Sequence, residues 1–338
     1  MKRRNYRIIG LTILAGGLLT WGVLSLTILD NLGYRQEQEK PVIYRLAFVN
    51  GDSISIPCDI MSEYWRKCIE GVQVAACEKK VAVSLMSLEP GSPYSSMADI
   101  YDSAILAQMD GIICVGFDQD ALGEKIDAAA QRGIPTVCID GDVPASERIA
   151  YIGTDNYAAG VQAAKSLLAL SPEPGAVYVI YPGYVTPQFS ARAQGFIDII
   201  QQQEGYSATV AGNDIGPEQW ENYADLARSI LLAHDNVTAL FCPGTSAAVR
   251  IARIVLEEGL RDQVRVICMD DYEAILQAVQ SGLIDVTIVQ QPFDMGYQAV
   301  RLLCDYLDGT DPFPIDGLVY TGTYPITRTN VASYLGEE

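Results

Sequence analysis

The sequence predicts an α/β protein built as two doubly wound parallel-sheet lobes, preceded by one transmembrane helix. Three observations lead there. From Ile43 onward, short apolar runs alternate with amphipathic stretches of helical length. The runs form two arrays of similar size that meet near Gly153–Asp155. Ahead of them, Ile8–Leu29 is a stretch of 22 residues without a charge.

The membrane segment comes first. As a helix it is about 33 Å long at ~1.5 Å per residue, against a hydrocarbon core of about 30 Å. Residues 1–7 are a basic end (Lys2, Arg3, Arg4, Arg7), and no cation follows the segment directly. That asymmetry keeps the start in the cytoplasm and places the body outside. Around residues 24–31 (LSLTILDN) there is no small-residue cleavage site, and no cysteine for lipid attachment precedes Cys58. An uncleaved signal anchor over residues 8–29 is the favoured reading, with a cleaved signal as the alternative. Residues 30–42 are polar and form a stalk. The body is then extracytoplasmic, on the extracellular face or in the periplasm.

In the body the first array of strands is Ile43–Val49, Val81–Leu88, Gly111–Val115, Thr136–Asp140 and Ala150–Ile152. The second is Ala176–Tyr181, Ala208–Ala211, Ala239–Cys242, Val264–Met269 and Val286–Val289. Runs apolar throughout suit parallel strands covered on both faces. Between them lie helices such as Tyr64–Lys80, with Trp65, Cys68, Ile69, Val72 and Ala76 on one face, and Gly296–Leu307. Strand–helix–strand alternation winds right-handed around a parallel sheet. Ten strands are too many for one comfortable open sheet, hence two lobes. Ligands of such sheets bind off the carboxyl ends of the strands.

Charge and composition exclude several functions. The chain of 338 residues carries 23 Lys plus Arg against 42 Asp plus Glu, and residues 1–35 hold five of the cations and one anion. A body that acidic repels phosphate backbones, so nucleic acid is not a partner. One histidine, His234, leaves no His-rich metal site, and no cofactor is implied. None of the eight cysteines shows C-x-x-C spacing. Cys114, Cys138, Cys242 and Cys268 sit in apolar runs and read as buried free thiols, with any disulfide pairing open.

Polar residues mark the strand ends. Asp140 ends PTVCID, Asp270 ends VRVICMD, and Gln290 closes VTIVQ. Arg192 lies near the start of a helix in QFSARAQGF, and Tyr64 and Trp65 open the first long helix. Acids, a guanidinium, an amide and aromatics make a sugar-binding set: carboxylates accept from hydroxyls, the guanidinium fork donates, and ring faces pack on sugar C–H faces. Each residue also has a plainer reading. Asp270 could cap the next helix, Gln290 could be a solvated hinge residue, and Arg192 could be a surface charge. Of Tyr64 and Trp65, the tryptophan fits the core better.

The motifs MDGIICVGFDQDAL, GIPTVCIDGD, YIGTDNYAAG, SARAQGF, VICMDD and GLIDVTIVQQP, in this order, resemble a type I periplasmic binding protein of the ribose- and galactose-binding class. That fold is shared with lac-repressor-type ligand domains, and the similarity runs from about Tyr44 to about Arg328. The resemblance implies a three-strand hinge, with crossings near Gly153, Gln291 and Leu318–Gly322. It divides the body into an N-terminal lobe (43–153 plus 291–318) and a C-terminal lobe and tail (154–290 plus 319–338). It implies ligand contacts from Tyr64, Trp65, Asp140, Arg192, Asp270 and Gln290. Two departures stand out. Where ribose binders follow the first Asp with Arg, this chain has Gly141 and then Asp142; where an Asn is usual after ALFC, it has Gly244-Thr245-Ser246. Asp142 and Thr245 therefore join the expected ligand set.

The function expected is a non-catalytic receptor for a mono- or disaccharide that closes on its ligand. It presents that ligand to an ABC sugar permease or reports it to a membrane histidine kinase. Two alternatives are a glycoside-processing enzyme using Asp140 and Asp270, and a fold-retaining domain that recognises a protein partner. No G-x-S-x-G, Walker A or strand-linked G-x-G-x-x-G motif supports catalysis.

Overall fold

The computed structural model describes residues 44–50, 59–87, 96–116, 119–181, 186–212, 222–244 and 247–336. Residues from Tyr44 on form one compact unit. The expected anchor and stalk lie outside the described residues. Among the described residues, no helix is long and apolar enough to cross a membrane.

The first lobe holds β1 (Arg45–Asn50), α1 (Asp59–Lys79), β2 (Ala82–Ser87), α2 (Met97–Leu106), β3 (Gly111–Val115), α3 (Gln119–Ala130), β4 (Thr136–Ile139) and β5 (Ala150–Thr154). The second repeats the plan with α4 (Asn156–Ala169), β6 (Ala176–Ile180), α5 (Pro187–Ile200), β7 (Ser207–Ala211), α6 (Asn222–Ala233), β8 (Val237–Phe241), α7 (Ala248–Glu257), β9 (Arg265–Met269), α8 (Glu273–Gln280) and β10 (Val286–Val289). The chain then returns through α9 (Pro292–Leu307), crosses again over β11 (Leu318–Thr321) and β12 (Tyr324–Thr327), and ends in α10 (Val331–Leu335).

Each sheet has six strands, in the orders β2-β1-β3-β4-β5-β11 and β7-β6-β8-β9-β10-β12. All pairings are parallel except β10 with β12. The central strands are apolar because helices cover both faces: every residue of β3 (GIICV) and β8 (VTALF) is buried. The strand order reverses between β1 and β3, and between β6 and β8. In open α/β sheets such switch points are where ligands bind, off the carboxyl ends of the strands.

β11 and β12 are not among the ten strands expected from sequence. They are four-residue edge strands, half-exposed, and no helix separates them, so neither apolar runs nor alternation marks them. β11 also keeps residues 318–321 with the first sheet, so the last crossing falls at Gly322–Thr323.

Paired glycines fix the helix crossings in each lobe. A Cβ on Gly160 of α4 would stand 1.9 Å from the Arg192 carbonyl oxygen on α5, and one on Gly195 2.1 Å from that of Tyr157. The matching crossing of α1 and α9 uses Gly71 and Gly296, at 2.0 Å from the Phe293 oxygen and 2.1 Å from that of Cys68. Such contact between backbones admits no side chain. It locks Arg192 at a set height above the second sheet. The described cysteines are free, and all but Cys77 are buried. Burial pushes the Cys138 and Cys268 thiols up to about 12.

Candidate functional site

Asp140 and Asp270 occupy the same place in the two lobes and are built the same way. Each follows the last residue of its strand, β4 or β9, and each takes a left-handed backbone, with φ of +58° and +73°. Each backbone N–H still continues the ladder, to Ile152 O (3.2 Å) and Ile288 O (2.9 Å). Each carbonyl accepts a hydroxyl from the neighbouring strand: Tyr151 Oη donates to Asp140 O (3.0 Å) and Thr287 Oγ1 to Asp270 O (2.5 Å). Left-handed conformations are uncommon outside glycine, and strain of this kind gathers at functional sites. Asp270 is not a helix cap. The residue ahead of α8 is Tyr272, and Asp270 is buried, 7% exposed.

Arg192 is not a surface charge either: it is 4% exposed, and its guanidinium is held on three sides. Nε donates to Asn156 Oδ1 (2.7 Å), Nη1 to the Pro243 carbonyl (2.9 Å) and Nη2 to Gln290 Oε1 (2.9 Å). Gln290, 6% exposed, also accepts from Thr154 Oγ1 (2.7 Å), and its Nε2 donates to Asp270 Oδ1 (2.5 Å). Thr154 ends β5 and Gln290 follows β10, so this network ties two of the lobe crossings to the site. Asn156 is positioned by the start of α4, which Asp155 caps by accepting from Ala158 N (2.9 Å).

The aromatics divide. Tyr64 Oη donates to Asp140 Oδ1 (2.5 Å) and lies 3.5 Å from Met295 Sδ, which orients the carboxylate from the α1 side. Trp65, 1% exposed, meets the Tyr64 ring edge-on at 5.2 Å and is part of the core. Asp142 is engaged elsewhere. Both of its oxygens are taken by Arg148, whose Nη2 donates at 2.8 Å, so it stands outside the network of Asp140, Asp270 and Arg192. Thr245 lies outside the described residues.

Asn50, Thr154, Asn156 and Tyr151 are not among the site residues expected from sequence. Asn50 ends β1 with 0% exposure, and neither atom of its side-chain amide has a hydrogen-bond partner among the described residues. Leaving such a group unsatisfied costs about 1–3 kcal/mol, which a bound ligand would relieve. Its signal was there: like Asp140, it is the polar residue that ends an apolar run. Thr154 and Asn156 stand within GTDN, visible in sequence only as a helix-capping pattern.

Burial raises both carboxyls above the ordinary range. For Asp140 the Tyr64 hydroxyl and the Arg192 charge partly offset it; for Asp270, Arg192 and Gln290 do so, while Asp271 and Asp140 push it further up. The Tyr64 hydroxyl is raised well above its usual value by burial and by Asp140. The two lobes meet at the rim, where Lys67 Nζ on α1 lies 2.7 Å from Asp271 Oδ2, just beyond β9. Tyr334 of α10 donates to that same oxygen. Among the described residues, no group of three or more His, Cys, Asp or Glu could hold a metal ion.

Residues 55–311 match the family described as a periplasmic binding protein domain. The chain belongs to that family. Its members are binding receptors and not enzymes, in line with the expectation of no catalysis. The D-allose-binding periplasmic protein of Escherichia coli (strain K12) is 21% identical over 280 residues, covering 80% of this chain and 89% of that protein. A glucose-galactose binding protein, GanP from Geobacillus stearothermophilus, superposes with a TM-score of 0.72 at 27% identity, over 86% of this chain and 99% of that one. A structure described as the XylFII-LytSN complex matches with a TM-score of 0.68 at 28% identity, over 86% and 99%.

Proposed function

We propose that this binding protein is an extracytoplasmic sugar receptor, tethered through residues 8–29, that closes on a mono- or disaccharide and signals its occupancy to a membrane partner. The network joining Asp140, Asp270, Arg192 and Gln290 carries the sugar reading. It presents acceptors and a fixed cation in a crevice between lobes, where hydroxyls satisfy buried polar groups in pairs. Relatives described as binding allose and glucose or galactose support it. Closure then shifts an open–closed equilibrium by differential affinity, as in hinge-type binding proteins.

The partner is a membrane histidine kinase or an ABC sugar permease. The XylFII-LytSN complex shows a relative of this shape joined to a second protein. An anchor over residues 8–29 favours sensing. Tethering serves either output by raising the effective concentration at the partner.

The test is a thermal-shift screen of residues 36–338, which contain both sheets, against mono- and disaccharides and polyols. A ligand of the folded state raises the melting temperature by mass action, by about 2.7 kcal/mol of added stability at 100 times its Kd. A clear shift with a sugar is expected. A flat response to every sugar overturns the sugar reading in favour of a ligand outside the sugars or recognition of a protein partner.

A further inference from the structure

Among the described residues, Arg192, Lys67 and Arg148 are the cations near the strand ends, and each has acceptors within the protein. Arg192 donates one hydrogen bond each from Nε, Nη1 and Nη2, to Asn156, the Pro243 carbonyl and Gln290. Lys67 is held by Asp271 at 2.7 Å and Glu63 at 3.4 Å, and Arg148 by both oxygens of Asp142. Among the described residues, the connections that leave the carboxyl ends of β1 through β10 contain six Asp or Glu and a single Lys or Arg, which is that same Arg148. Asp140 accepts from Tyr64 and Asp270 from Gln290, both neutral donors, each through one oxygen. Two buried acids thus share the field of one guanidinium, and burial raises both above the ordinary carboxyl range. Asn50, with both amide atoms unpartnered among the described residues, adds a neutral hydrogen-bonding pair at the end of β1.

We propose that the crevice selects by charge: it takes a hydroxylated ring bearing a protonated amine in preference to the neutral parent sugar, and it excludes sugar acids and sugar phosphates. The inference rests on the sugar-receptor reading. An ammonium placed between Asp140 and Asp270 supplies the positive charge that the protein withholds, in a setting where an uncompensated charge is costly. A carboxylate or phosphate on the ring would face two acids that already share the single charge of Arg192.

The test is calorimetric titration of the full-length protein in mild detergent with matched probes: D-glucose, D-glucosamine, D-glucuronate and glucose 6-phosphate, and the galacto series alongside. The amine is expected to bind at least about tenfold tighter than its parent, with no detectable binding of acid or phosphate. In Asp140→Asn or Asp270→Asn, each checked for an intact melting transition, the amine preference shrinks toward parity. Equal affinity for amine and parent, or binding of the uronate or phosphate, overturns the inference while leaving the sugar reading intact. No binding by any probe overturns the inference, while the sugar reading falls only if the wider sugar screen is flat as well.

Discussion

Asp140 and Asp270 show at the residue scale how a site is stored in a fold. Their left-handed backbones turn the carboxylates out of the strand line, and neighbouring hydroxyls fix the carbonyls behind them. The cost falls on stability. Because burial raises their pKa above that of the unfolded chain, the folded protein holds these protons to higher pH, and the stability they contribute falls as pH rises through the folded value. Asparagine keeps the acceptor for Tyr64, suits positive φ and carries no charge. Asp140→Asn is therefore expected to melt higher than the wild type at pH 7 in the absence of ligand. The gap closes as pH falls toward about 4, the ordinary carboxyl range. A constant gap from pH 7 to 4 would show that the charge of Asp140 is not its source. These two acids and Gln290 were legible in the sequence because each ends an apolar run. The Arg148 partner of Asp142 was not, since an ion pair six residues apart depends on how the loop between β4 and β5 folds.

At the scale of elements, the site depends on helices that touch backbone to backbone. The α4–α5 crossing sets the position of Arg192, while the α1–α9 crossing performs the same task on the Tyr64 side. Gly160→Ala would drive a methyl into the Arg192 carbonyl, and Gly71→Ala one into that of Phe293. Overpacking of this kind costs about 1–3 kcal/mol or more. Both variants are expected to melt below the wild type, but only Gly160→Ala displaces the guanidinium itself. Sugar affinity measured on the folded fraction should fall much further in Gly160→Ala. Equal losses in the two would mean that the crossing does not position Arg192. Sequence alone exposed the alternation of strands and helices, since strands buried on both faces must be apolar. It hid β11 and β12, whose half-exposed residues include Tyr320, Tyr324 and Pro325 and follow no apolar pattern.

Across the whole molecule, two repeats of one plan face each other and meet where their strands end. Thr154 and Gln290, the residues at which the chain leaves β5 and β10, bond to each other, and Lys67 reaches Asp271 across the rim. The β5 and β10 crossings, the rim and the buried polar network are thus mechanically one unit, which is what a receptor that converts occupancy into shape requires. The central claim is that this shared crevice is where the sugar binds. Its most direct test is a titration of the best sugar from the screen into wild type and Arg192→Ala, with the melting transition of each recorded first. Wild type should bind one sugar per chain. Arg192→Ala should bind about 100-fold more weakly, on the order of 3 kcal/mol, because the partners of the guanidinium are left buried and unpaired. Unchanged affinity in a folded Arg192→Ala would place the sugar elsewhere and contradict the account.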